Sequence, residues 1–168
     1  TRALMDTTKL RLLEITKIVY DQKEKFTDKL KSVYSALHSL NSAVALLIQS
    51  DGDAVRFFIG TRSVLNAAIA GDVLESTLKG NFPGISYCTL SVSETEKMID
   101  EIKKSGIKSL SSVSVVPSMR EENFDTESFV QGIEKFIDTM SGKTYAAVCL
   151  ATPLDKAVTE QRKHGYEE

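Results

Sequence analysis

The stretch "NSAVALLIQSDGDAVRFFIGTR", Asn41 to Arg62, decides how the rest of the chain is read. Two runs of β-favouring residues, Val44 to Gln49 and Val55 to Gly60, flank Asp51-Gly52, a pair that supplies the positive-φ backbone of a tight hairpin turn. The first run is apolar at successive positions, as in a strand covered on both faces, so it belongs inside its sheet. Arg56, between Val55 and Phe57, gives the second run one wet face. Asp51, Gly52 and Asp53 also begin like a calcium loop, but the later ligands and the closing glutamate are absent, and the turn reading wins.

Upstream of the hairpin, apolar residues from Met5 to Leu40 fall at helical spacing: Leu12, Ile15 and Val19, then Leu30, Val33, Leu37 and Leu40. The charged stretch "DQKEKFTD" interrupts them, which predicts two helices or one bent helix. Residues 1–29 read as an N-terminal helical arm and 30–168 as an α/β domain. Downstream, Leu65, Ile69, Val73, Leu74 and Leu78 form a helical stripe from Ser63 to Lys79, stopped by "GNFPG". "ISYCTLSV", Ile85 to Val92, reads as a strand, and Ser93 with Glu96 as a capping box opening a helix through Lys103.

After Gly106, "IKSLSSVSVVPSM" predicts a strand through Leu110, Val113, Val115 and Val116, which Pro117 confines to an edge or to its end. The loop "REENFD" follows, and Asp125 or Thr126 caps a helix carrying Phe129, Ile133, Phe136, Ile137 and Met140. That helix ends at Gly142, before a strand from Tyr145 to Ala151. Pro153 and a charged helix from Asp155, cut short at Glu168, close the chain. The expected fold is therefore α/β in the α+β sense: a mixed or mostly antiparallel sheet covered by helices on one face, with a ferredoxin-like element in its first half.

At 168 residues with 42% apolar content, the chain is long enough to bury one core. Its net charge of −2, from 21 basic and 23 acidic side chains, lacks the basic footprint of a nucleic-acid binder, so no direct nucleic-acid contact is expected. Apolar runs such as Ala43 to Ile48 are far short of the roughly 20 residues that span a bilayer, and the opening residues lack the blocks of a secretory signal. A soluble, cytoplasmic piece of a larger protein is expected.

Chemistry is sparse. Ser141-Gly142-Lys143-Thr144 resembles the end of a phosphate-binding loop, but Ile137 stands where the loop's first glycine belongs, and the order of elements is helix then strand rather than the reverse. Cys88 and Cys149 lie in apolar β-like runs and are expected as buried free thiols. His38 and His164 have no nucleophile or carboxylate at triad spacing. Arg62 and "REEN", Arg120 to Asn123, read as solvated loop residues, and Phe57, Phe58, Tyr87, Phe129 and Phe136 as core rather than a base-stacking platform. No catalytic, cofactor-binding or metal-ligating residue is assigned, and no cofactor is expected.

"VYSALHSLNSAVALLIQSDGDAVRFFIGTR" followed by "AGDVLESTLKGNFPGISY", together with "FVQGIEKFIDTMSGKTYAAVCLATPL", resembles the amino-terminal domain of the FtsK/HerA-type motor ATPases of conjugative and related secretion systems, over roughly Leu30 to Leu154. The likeness lies in hydrophobic pattern and turn residues. In that family the nucleotide motifs belong to the later motor domain. The resemblance thus implies a non-catalytic assembly or docking domain of a DNA- or protein-translocating motor, meeting protein partners or further copies of itself through its terminal helices. A small stand-alone enzyme and a nucleic-acid adaptor are the alternative readings.

Overall fold

A computed structural model describes residues 6–18, 26–104, 106, 109–112 and 135–154, with the side chains of 26–28 excepted. The hairpin is the centre of the fold. Strand β2, Ala43–Asp51, pairs in antiparallel register with β3, Val55–Arg62, and Ile59 lies opposite Leu46. Gly52 takes φ +107°, and the Asp51 carboxylate accepts from the N–H groups of Asp53 and Ala54 at 3.0 and 2.9 Å. These bonds hold the Asp51 carboxyl below the ordinary aspartate range.

Around the hairpin the chain runs β1 (Leu10–Lys17), α1 (Phe26–Ser39), β2, β3, α2 (Ala67–Asn81), β4 (Ser86–Thr89), α3 (Val92–Lys104) and, later, β5 (Thr144–Ala151). The sheet has five strands in the order β4-β1-β3-β2-β5, and all its pairings are antiparallel. The first six elements follow the β-α-β-β-α-β plan of the ferredoxin-like motif, and β5 extends it beyond β2.

Where helical spacing predicts the first amino-terminal helix, Leu10–Lys17 is instead strand β1, hydrogen-bonded between β4 and β3. Its neighbouring leucines face opposite ways, Leu12 2% and Leu13 3% exposed, each into a different core. The adjacent Leu12 and Leu13 break the period-two alternation of a half-buried strand, and Leu12 with Ile15 satisfies helical spacing, so the run carries no clean strand signal.

The sheet is covered on both faces rather than one. Leu13, Val44 and Ile59 pack with Val33 and Leu37 of α1 and with Leu74, Leu78 and Phe82 of α2 and its C-cap. On the opposite face Leu12, Leu47 and Phe58 pack with Met98 of α3, joined by Ile99 and Ile102. The stripe expected on α2 is rotated: Ala70, Leu74 and Leu78 are buried, whereas Ile69 is exposed and Leu65 lies in the preceding loop at 88% exposure. Asn66 fixes the start, its side chain accepting from Ile69 N–H at 3.1 Å.

The next cap also moves. Ser91 and Glu94, not Ser93 and Glu96, form the capping box: Glu94 N–H donates to Ser91 Oγ at 3.2 Å, and Ser91 N–H donates to Glu94 Oε2 at 2.8 Å. This ends β4 at Thr89 and starts α3 at Val92, shortening the expected strand. Ser109 to Ser112 form no regular structure, and Leu110 is 88% exposed. The rest of that predicted strand, "REENFD", Phe129, His164 and the helix from Asp155 lie outside the described residues. Residues 135–139 are helical, Gly142 turns the chain at φ +72°, and β5 follows where the sequence predicts it.

Candidate functional site

Two places invite a functional reading: a cleft beside α3 and the outer edge of β5. The cleft, about 240 Å³, is lined by Glu14, Arg56, Cys88, Thr89, Leu90, Glu94, Lys97, Met98 and Glu101. Glu14 on β1 and Arg56 on β3 are diagonal neighbours, since Glu14 lies opposite Phe58. Arg56 Nε and a terminal guanidinium nitrogen donate to the two carboxylate oxygens of Glu14 at 2.7 and 2.8 Å, and the guanidinium sits 5.0 Å from the centre of the Phe58 ring. The Arg56 hydrogen bond holds the Glu14 carboxyl below the ordinary glutamate range, and Glu14 in turn raises Arg56. Both charged heads of the pair are therefore engaged with each other. Glu94 is likewise committed to its helix cap, which lowers its carboxyl through Ser91.

The predicted residues fall apart in space. Lys143 N–H donates to Met140 O at 3.1 Å, closing a helical end, and Thr144 Oγ1 donates to Asp51 O at 3.0 Å, fastening β5 beside the hairpin turn. Ser141 to Thr144 thus join a helical turn to a strand. His38 is exposed in the last turn of α1. Arg62 ends β3 rather than lying in a loop. Among the described residues, no three His, Cys, Asp or Glu side chains converge as metal ligands. Of the aromatic set, Phe58 is fully buried, Phe57 and Tyr87 are half-buried, and Phe136 is 39% exposed and stacks edge-on with Tyr145 at 5.4 Å.

The expectation of buried thiols is overturned: Cys88 and Cys149 are both free and exposed. They belong to β4 and β5, the two outermost strands among the described residues, each hydrogen-bonded to one other described strand. Apolar flanking residues made both look central.

The second place is the one that sequence reasoning passed over as a site. β5, "TYAAVCLA", carries no charge and no proline along eight residues and, among the described residues, forms one edge of the sheet. Val148 is 67% and Leu150 42% exposed, and Leu154 just beyond is exposed as well. An edge strand of that length and character is a template for another strand unless charge, proline or a bulge blunts it. The opposite edge is blunted: β4 has four residues, and its pairing with β1 slips between Ile15 and Lys17. The sequence held no signal for β5 as an edge, since Ala43 to Ser50 is equally free of charge and proline and lies inside the sheet.

Comparison of the chain with protein-family models, curated proteins and solved structures finds no match in any of the three. No helix among the described residues is long and apolar enough to cross a membrane.

Proposed function

We propose that the chain is a non-catalytic assembly or docking domain of a larger cytoplasmic motor ATPase that translocates DNA or protein, the role implied by its resemblance to the FtsK/HerA amino-terminal domain. The observation that carries the docking half of this reading is the uncharged, apolar outer edge of β5. Of the two terminal helices expected to dock, the one from Asp155 lies outside the described residues. Residues 10–17 cannot serve as a detachable arm, because they form a strand inside the sheet. β5 takes over that role.

The non-catalytic half is tested by calorimetric titration of the purified chain with ATP and magnesium. No binding at micromolar nucleotide is expected, since Lys143 stands at a helix end and the adjoining strand start fastens to the hairpin. Micromolar affinity that Lys143→Ala abolishes would overturn it.

A further inference from the structure

Hydrogen-bonding direction alternates along every antiparallel strand. Ser63 N–H donates to Lys9 O, and Asp51 N–H donates to Ala54 O. Odd-numbered residues of β3 therefore face β1 and even-numbered ones face β2. In β2 the odd residues face β3 and the even ones face β5. Because Leu46 lies opposite Cys149 and Ile48 opposite Ala147, the odd residues of β5 bond to β2. Ala146, Val148 and Leu150 then turn their N–H and C=O groups outward.

The side chains of Val148 and Leu150 share one face of the sheet, beside Leu47 and Ala45. We propose that a second copy of this chain occupies this edge, joined β5 to β5 in antiparallel fashion about a two-fold axis at Cys149. The proposal rests on the reading as an assembly domain and specifies its partner.

Outward groups belong to even residues, so even must pair with even, and the axis has to pass through a pair of identical residues rather than between two positions. With the axis at Cys149, Val148 lies opposite the partner's Leu150, and Leu150 opposite the partner's Val148. The two exposed apolar side chains of each strand thereby cover those of the other. An axis at Val148 would instead set Leu150 against alanine. The absence of charge makes the strand compatible with itself, since no like charges meet across the pair. Among the described residues each copy has one such edge, so association through it closes at a dimer, with the five described strands of each chain in one sheet. Cys149, whose own peptide groups bond to β2, then faces its counterpart in a non-hydrogen-bonded pair, where Cβ atoms approach to about 5 Å.

The experiment uses the Cys88→Ser chain, in which Cys149 is the remaining thiol. Mild oxidation with diamide, which takes up the two electrons and two protons released by a thiol pair, should yield a covalent dimer on non-reducing electrophoresis. In sedimentation equilibrium, Val148→Lys with Leu150→Lys should weaken dimerisation of the unoxidised protein by about tenfold or more. Mixing that variant with Val148→Glu/Leu150→Glu should restore a heterodimer, an outcome that misfolded chains would not give. A chain that stays monomeric at high concentration, or dimerises without linking Cys149, overturns the proposal. In the monomeric case, protection of the β5 amides in a full-length assembly would show that the docking reading stands with a different partner, and their lack of protection would sink both.

Discussion

Gly60 lies opposite Leu12 where β3 pairs with β1. A Cβ built there would meet the Leu12 side chain and come within 2.6 Å of the Arg11 carbonyl oxygen. The side chain can shift, but the backbone oxygen is fixed in the ladder, so Gly60→Ala should destabilise the fold by about 1–3 kcal/mol, measured by urea unfolding. Wild-type stability in that variant would refute the close approach of the two strands. The Glu14 and Arg56 pair makes a prediction of the opposite kind. Because Arg56 lowers the Glu14 carboxyl in the folded state, the pair stabilises the fold above the unfolded carboxyl's value of about 4.3, and that contribution is lost as pH falls through the folded value. Half of the Arg56 side chain is exposed, so solvent keeps the effect small. Glu14→Gln should flatten this part of the acid limb of stability against pH. In dilute solution both thiols should react with Ellman's reagent without denaturant; slow reaction of either would contradict their exposure.

Among the elements, β1 separates what the sequence discloses from what it hides. The hairpin was legible because Asp51-Gly52 is a local signal and two β-like runs flank it. The helices α1 and α2 were legible through period and stop signals, although the buried face of α2 was misplaced because Leu65 and Ile69 extend the same stripe without reaching the core. β1 was hidden because eight residues with leucines facing both cores satisfy either period, and its partners β3 and β4 lie far along the chain. The capping box was ambiguous for a simpler reason, as two serines each stand three residues before a glutamate. Deleting residues 1–25 should accordingly abolish cooperative unfolding, because the deletion removes an interior strand together with Leu12 and Leu13. A detachable arm would leave the melting transition intact. In α2, Leu74→Ala should cost about 2–5 kcal/mol, since that side chain is fully buried between α1 and the sheet.

At the scale of the whole molecule, the two edges of one sheet differ. β4 is short and its pairing is irregular, whereas β5 is long, regular and uncharged and carries exposed apolar side chains. The strand itself was legible from Gly142 and the β-like run after it, but its place at an edge was not, because only the order β4-β1-β3-β2-β5 reveals which strand is last. The claim that this edge is the docking surface is tested most directly by residue-resolved amide exchange, comparing the dilute chain with the assembled full-length protein that the proposed role implies. Tyr145, Ala147 and Cys149, bonded to β2, should be protected in both states, whereas Ala146, Val148 and Leu150 should exchange rapidly in the dilute chain and become protected on assembly. If those three amides exchange equally fast in both states, the β5 edge is not where the domain docks.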